Sequence, residues 1–264
     1  MNTPIRYFGG KGTMFNSILE HFPENGSYDH YIEPFGGSYS IGLKLEDIPP
    51  VEIYNDMEQN DYSLYKVLAD KELFNEFKYK CDLAIYSEDL RAEFKEKLKE
   101  ELSLVDRAFY YYYVNRTSFN GNGGFTINTS IRRGMAKSIS DFLSSVDRLP
   151  ELHERLSRVA ILNQDGIKLI EKYNKNNMFL YCDPPYEQST RTSVRYPVDM
   201  HRDKQFEFIE SVIKSNAKIL ISGYDCDVYS KLTENGFSKI MFDVNTVTNK
   251  GNAKTKVETL WKNY

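Results

Sequence analysis

Cysteine is scarce in this chain: three among 264 residues, Cys81, Cys182 and Cys226, odd in number and far apart. That supports neither a disulfide framework nor a zinc pattern, and reduced thiols in a cytoplasmic protein are expected. Histidine is also sparse, with four residues and none in a metal-ligand spacing, so no catalytic metal is expected. No apolar run reaches the length of a membrane span, and Met1–Lys11 lacks the apolar core of a signal peptide. Phosphate cradles are missing too. There is no GxGxxG, and Gly9-Gly10-Lys11-Gly12-Thr13 lacks both the first glycine of a P-loop and a strand before it. Internal repeats, low-complexity tracts and Pro/Ser-rich linkers are absent.

Acidic residues are missing from two intervals of a chain whose net charge is −4. Between Asp106 and Asp141 lie Arg107, Arg116, Arg132, Arg133 and Lys137; between Val244 and Val257 lie Lys250, Lys254 and Lys256. One such interval reads equally as a solvated face. Two on an acidic chain favour a localised anion-binding surface.

Apolar runs mark strands at Tyr31–Glu33, Val51–Tyr54, Val159–Leu162, Met178–Cys182, Lys218–Ser222, Ile240–Val244 and Glu258–Lys262. Helical spacings separate most of them, at Met14–His21, Tyr39–Leu45, Ile167–Tyr173, Lys204–Ser215 and Tyr229–Asn235. Such alternation predicts an α/β domain with a mainly parallel sheet covered on both faces. The last two strands have no helix between them and predict an antiparallel hairpin around Thr246–Ala253. From Glu58 to Arg158 the alternation stops. Leu73, Phe77, Leu90, Phe94 and Leu98 are helically spaced and predict a long helix continuing through Phe109–Val114. The glycine-rich Asn115–Lys137 cannot be regular throughout, and helix resumes at Leu143–Leu156 with a break at Pro150. This stretch reads as a helical insertion.

The most informative element is Asp183-Pro184-Pro185-Tyr186, directly after Met178–Cys182. Paired prolines lack the ladder donor and fix their backbone angle, so the strand must end in a rigid turn. A carboxylate beside prolyl carbonyls presents acceptors only, and an adjacent ring offers a stacking platform, a combination suited to an exocyclic amine. The alternative is a proline-stopped strand whose Asp caps a turn. Glu33-Pro34-Phe35-Gly36-Gly37-Ser38 ends the first strand, where open parallel sheets bind ligands. Asn55-Asp56 ends the second, placing a carboxylate where it can accept from ribose hydroxyls or cap a helix. Tyr7 and Lys11 flank Gly9-Gly10, a ring and an ammonium suited to the carboxylate of an adenosine-linked amino acid; alternatively, Lys11 is an exposed lysine at a helix start.

Tyr7-Phe8-Gly9-Gly10-Lys11, Glu33-Pro34-Phe35-Gly36-Gly37, Asn55-Asp56 and Asp183-Pro184-Pro185-Tyr186, in this order, resemble the Dam-like (D12 class, alpha group) DNA adenine-N6 methyltransferase family over nearly the whole chain. Asn115-Arg116 with Phe119-Asn120-Gly121 is similar to the opening of that family's DNA-contacting region, and Lys250–Trp261 to its closing hairpin. The resemblance implies a seven-stranded Rossmann-like methyltransferase sheet. It implies a catalytic, S-adenosylmethionine-binding domain over 1–57 and 159–264, and an inserted target-recognition subdomain over 58–158.

It further implies that Tyr7, Lys11, Asp56 and Asp183 bind S-adenosylmethionine, with Glu33, Phe35 and Gly36 lining the pocket. Asp165 is either an adenine contact for the cofactor or a helix cap. Double-stranded DNA is the implied partner, contacted by Arg116, Asn120, Asn122, Arg132, Arg133 and Lys137. A flipped-out adenine would stack on Tyr186 and present its N6 amine to Asp183 and the Pro184 carbonyl. Cys182 reads as a packed strand residue, not a nucleophile. Glu187–Met200, with Arg191 and Arg195, is either a lid over the base or an ordinary loop. From Gly123 to Ser140 the chain departs from the Dam enzymes, so no recognition sequence carries over. Rival readings are cytosine-N4 or RNA amino-methyl transfer, and an inactive DNA-binding protein of the same fold. An NAD-dependent oxidoreductase is weakened by the missing GxGxxG.

Overall fold

A computed structural model describes residues 1–6, 14–121, 123–185, 200–247 and 253–264, with side chains described outside 243–256. Nine strands are described: β1 (His30–Glu33), β2 (Val51–Asn55), β3 (Ile131–Arg132), β4 (Met135–Ala136), β5 (Val159–Leu162), β6 (Met178–Cys182), β7 (Lys218–Gly223), β8 (Ser238–Val247) and β9 (Ala253–Lys262). The described helices are α1 (Phe15–Leu19), α2 (Gln59–Ala69), α3 (Lys71–Leu83), α4 (Glu88–Lys97), α5 (Leu104–Arg116), α6 (Lys137–Asp147), α7 (Leu149–Leu156), α8 (Gly166–Lys172), α9 (Arg202–Ile213) and α10 (Ser230–Glu234). None is long and apolar enough to cross a membrane.

Seven strands form one sheet in the order β5-β2-β1-β6-β7-β9-β8, and β3 and β4 form a separate ribbon. The pairs β1–β2, β1–β6 and β6–β7 are parallel, whereas β9 runs antiparallel to both β7 and β8. The expected C-terminal hairpin is therefore present, with Ser238 opposite Lys262 and Val247 opposite Ala253. Chain order reverses direction across the sheet at β1, whose neighbours are β2 and β6. Such a switch point, at the carboxyl ends of parallel strands, is where open α/β sheets bind ligands.

The chain forms two compact units. One comprises 12–36, 46–57 and 162–264; the other comprises 1–11, 37–45 and 58–161. In the first, strand alternation sends Ile32, Ile53, Leu180, Cys182, Ile219, Ile221 and Trp261 into one core, covered by Ile167 and Ile170 of α8 and Phe208, Ile209 and Val212 of α9. The opposite side of the strands carries Tyr31, Phe179 and Tyr181. Phe22 packs over them, its ring centroid 4.6 Å from that of Phe179 and 6.0 Å from that of Tyr31.

The second unit is helical, but its first half is divided where one long helix was expected. Asp70, Ser87 and Ser103 cap α3, α4 and α5 through side-chain oxygens that accept from Leu73, Leu90 and Asp106 amides at 3.1, 3.4 and 3.1 Å. Each cap satisfies an orphan donor and starts a new helix, which outweighs the continuity of the apolar spacing. Tyr39–Leu45 is also not the predicted helix. Only Gly42–Lys44 makes a 3-10 turn, because Tyr39 adopts φ 51° and lays its ring where a Gly42 Cβ would stand, 2.2 Å from Cζ. Pro150 lies in the first turn of α7, so it begins that helix at the expected break.

Candidate functional site

The carboxyl ends of β1, β2, β5 and β6 carry Pro34-Phe35-Gly36, Asp56, Asn163-Gln164-Asp165 and Asp183-Pro184 respectively. Asn55, fully buried, ties three of these loops together. Its side-chain amide donates to the Pro34 and Gln164 carbonyls at 2.8 and 3.0 Å, its Oδ1 accepts from the Gln164 amide at 2.9 Å, and its carbonyl accepts from the Gly36 amide at 2.8 Å. The Asp56 amide donates to the Leu162 carbonyl, and Asn163 Nδ2 to the Asp56 carbonyl, at 3.3 and 2.7 Å. Asp56 itself is half-buried.

Gly36 and Gly166 show why these loops approach so closely. A Cβ on Gly36 would lie 2.3 Å from Tyr54 Cε2, and one on Gly166 would lie 2.5 Å from Phe35 Cε1. Phe35 in turn meets Phe208 edge-on, with centroids 5.7 Å apart. Asp165 caps α8, its Oδ1 accepting from the Ile167 and Lys168 amides at 2.8 and 3.4 Å. Glu33 is buried and accepts from the Tyr31 hydroxyl at 2.7 Å.

At the end of β6, Asp183 is half-buried and Pro184 buried. Ser222 Oγ on β7 donates to Asp183 Oδ1 at 2.9 Å. Gln205 of α9, also fully buried, donates to the Pro185 carbonyl at 2.7 Å and accepts from the Tyr229 hydroxyl at 3.1 Å. The double-proline turn is thus held from β7 and from α9. Cys182 is fully buried, and burial, followed by the Asp183 and Glu33 carboxylates, pushes its thiol far above the ordinary range. That protonated, enclosed sulfur is not a nucleophile.

In the helical unit, Asn120 is exposed with φ 51°, and Arg132 and Arg133 are exposed on the β3–β4 ribbon and its turn. Asp141 of α6 meets two of the expected DNA contacts, with Arg132 Nη1 on Oδ1 at 2.6 Å and Lys137 Nζ on Oδ2 at 2.5 Å. Arg133 Nη1 donates to Ser144 Oγ at 2.9 Å and lies 3.8 Å from Asp147 Oδ2. Three cations of the interval that is acid-free in sequence are therefore met in space by two carboxylates of α6.

Arg116 departs from expectation. Its guanidinium turns inward, donates to the Thr3 carbonyl at 2.9 Å and lies over the Tyr112 ring, while Nε is buried without a hydrogen bond. Burial, opposed by Tyr112, pulls its titration down. Its neighbour Asn115 clasps Arg6, accepting from the amide and donating to the carbonyl, both at 2.8 Å. Asn115-Arg116 therefore anchors the segment before Tyr7. Tyr7, Lys11, Asn122, Tyr186, the 187–199 part of the expected lid, and Lys250 lie outside the described residues.

Sequence reasoning missed Asn55 as the organiser of the loops, and missed Gln205 and Ser222, whose partners are remote in sequence. It also passed over Ile131, which is 84% exposed at the ribbon, more than any other large apolar residue described. An isoleucine in an Ile-Arg-Arg run with no buried neighbour to explain it is the signal that was available.

The sequence profile described as D12 class N6 adenine-specific DNA methyltransferase matches residues 7–248. The chain is 26% identical over 262 residues to the type II methyltransferase M.MjaIII of Methanocaldococcus jannaschii, covering 89% of this chain and 88% of that protein. It is 21% identical over 277 residues to the DNA adenine methylase of Escherichia coli K12, covering 97% and 92%. With the type II methyltransferase M.CviBI of Paramecium bursaria Chlorella virus NC1A it shares 23% identity over 197 residues, covering 71% and 70%. A profile match spanning the sheet loops, the helical unit and the double-proline turn assigns the chain: it belongs to the D12 class of N6 adenine-specific DNA methyltransferases, and is an enzyme.

Proposed function

We propose that this enzyme transfers a methyl group from S-adenosylmethionine to the N6 amine of an adenine swung out of duplex DNA. The observation that carries the reading is the acceptor-only face of Asp183 and Pro184, held rigidly at the carboxyl end of β6 beside the switch point. The residues fit the methyl donor. Gly36 and Gly166 lack side chains where the loops close in, and Asp56 offers a partly exposed carboxylate at the end of β2 for ribose hydroxyls. Glu33, Phe35 and Gly36 line the same loop cluster. Asp165, its Oδ1 engaged as a helix cap, has a second oxygen suited to an exocyclic amine of the donor's adenine. Tyr7 and Lys11 complete the set in this proposal through a ring and an ammonium.

The donor supplies an electrophilic methyl on a sulfonium. The chain's part is orientation. Asp183 and the Pro184 carbonyl accept the two N–H bonds of the target amine, which turns the nitrogen lone pair out of conjugation and along the line of attack. Tyr186 stacks on the base. With the donor bound, the nitrogen that takes its methyl group would shed one proton, for which the Asp183 carboxylate is an acceptor within the same contact. Alignment of two bound partners removes much of the entropic cost of the encounter. Incubation with labelled S-adenosylmethionine and unmethylated duplex DNA, followed by nucleoside analysis, is expected to place label in N6-methyladenine. Label in N4-methylcytosine, or none in DNA, sinks this reading.

We further assign DNA contacts to Asn120, Asn122, Arg132, Arg133 and Lys137, with Ile131 as an apolar contact beside them. The Asp141 carboxylate competes with phosphate for Arg132 and Lys137. Asp141→Asn is therefore expected to tighten duplex binding about 3- to 10-fold at low salt, an advantage that fades as salt rises. Fluorescence anisotropy with labelled duplex across a salt series measures both effects. Unchanged or weaker binding at low salt refutes the assignment of these cations.

A further inference from the structure

We propose that Ser222 is a positioning residue for the reaction: backed by the Tyr181 hydroxyl, it sets the orientation of the Asp183 carboxylate. The inference rests on the reading that Asp183 accepts the target amine, and it concerns residues that no motif singled out.

Strand geometry brings the three groups together. Tyr181 and Asp183 are two residues apart along β6 and its extension, and so point to the same side of the sheet. The β6–β7 register pairs Cys182 with Ile221, which sets Ser222 beside Asp183. Ser222 Oγ lies 2.9 Å from the Tyr181 hydroxyl and 2.9 Å from Asp183 Oδ1. Ser222 has one proton, and a carboxylate can only accept. Ser222 therefore donates to Asp183 and Tyr181 donates to Ser222, a relay of two hydroxyls that ends on the reacting acid. Successive hydrogen bonds of this sense polarise one another.

Two observations argue for a specific role. Ser222 is fully buried between Ile221 and Gly223 in a strand whose other interior residues are apolar, where a hydroxyl costs stability unless it is bonded. The neighbouring strand repeats the arrangement without a serine. On β1 the Tyr31 hydroxyl reaches Glu33 directly at 2.7 Å, again two residues on. Glutamate is one methylene longer than aspartate, so the shorter Asp183 needs the bridge that Ser222 provides. Burial, then the Asp183 carboxylate, holds the Tyr181 hydroxyl well above the tyrosine range, which keeps it protonated as a donor. Glu33 and Glu258 also face Tyr181 and act in the same direction.

Ser222→Ala, Tyr181→Phe and the double variant test this. Loss of a hydrogen bond to a charged group is worth roughly a tenfold change or more. Ser222→Ala is therefore expected to lower single-turnover methyl transfer about 10- to 100-fold, with KM for DNA nearly unchanged. In the protein without ligands, the Asp183 side-chain carboxyl, followed by carbon-13 NMR, is expected to titrate about one pH unit higher, because a donor that favours its ionised form is gone. Tyr181→Phe should give the same changes in smaller measure, and should add nothing in the Ser222→Ala background. A normal rate, an unmoved Asp183 titration despite a slower rate, or additive effects of the two substitutions overturns the proposal. Should Ser222→Ala fail to fold, Tyr181→Phe decides, an unmoved titration being fatal. Absence of methyl transfer by the unaltered enzyme would instead refute the functional reading and leave the titration result standing.

Discussion

Asp183→Ala is expected to lower methyl transfer by about a thousandfold or more, the magnitude seen when a group that acts mainly in the transition state is removed. In the proposed mechanism the substitution deletes an acceptor for the amine and a base for the departing proton, while the Pro184 carbonyl, on the backbone, stays in place. It also leaves the buried Ser222 hydroxyl without the carboxylate it donates to, at a cost to stability of about 1–3 kcal/mol. Asp183→Asn separates these effects. The asparagine side-chain oxygen can still accept from Ser222 at the position of Oδ1, so the fold should be nearly unaffected. Its NH2 then faces the target amine as donor to donor, and transfer should be nearly as slow as in the alanine variant. Single-turnover transfer of labelled methyl groups, with thermal denaturation alongside, tests both statements. An asparagine variant with more than about a tenth of normal activity would remove Asp183 from the role assigned to it.

The elements that carry this acid were legible because their causes are local. Five consecutive apolar residues followed by two prolines define β6 and its end, and the hairpin partner of β8 needs only alternating residues and the lack of a helix between. The parallel sheet follows from alternation alone. Local capping signals at Asp70, Ser87 and Ser103 were present too, but the apolar spacing across them suggested one long helix, and the caps prevailed. What was not legible depends on partners far along the chain. Arg116 turns inward to Thr3, 113 residues away, although its charge and the resemblance of Asn115-Arg116 to a DNA-contacting region both suggested a DNA contact. Asp141 lies at the boundary of the acid-free interval, and only the i,i+4 placement of Lys137 hinted that the carboxylate would fold back on it. Ser222 meets Asp183 from 39 residues away, across a strand register that sequence does not give.

Asn55 is the clearest case of a residue whose importance lies in geometry, and Asn55→Ala is expected to destabilise the protein by about 3 kcal/mol and to weaken cofactor binding at the same time. The side chain, itself fully buried, makes three hydrogen bonds, a buried one to the Pro34 carbonyl and two part-buried ones to the Gln164 carbonyl and amide, and each of those groups would lose its partner. An orphaned buried polar group costs roughly 1–3 kcal/mol, so the lower end of that range for each gives the estimate. Asn55→Asp should be no better, since it replaces the donor facing Pro34 and Gln164 with an acceptor. The consequence for function follows from what the two loops carry: Pro34 leads into Phe35 and Gly36, and Gln164 precedes Asp165. Asp56→Ala makes the contrast, because that side chain is half-buried beside the clasp without forming it. It should weaken binding of S-adenosylhomocysteine by about 10- to 100-fold, as loss of one charge-assisted contact does, while shifting the denaturation midpoint less than Asn55→Ala does. Asn55→Ala should lower both affinity and midpoint. Calorimetric titration with S-adenosylhomocysteine and urea denaturation on the two variants distinguish a binding carboxylate from the amide that holds its loops in place. Equal stability losses in both would mean that the loops are held by something other than the Asn55 clasp.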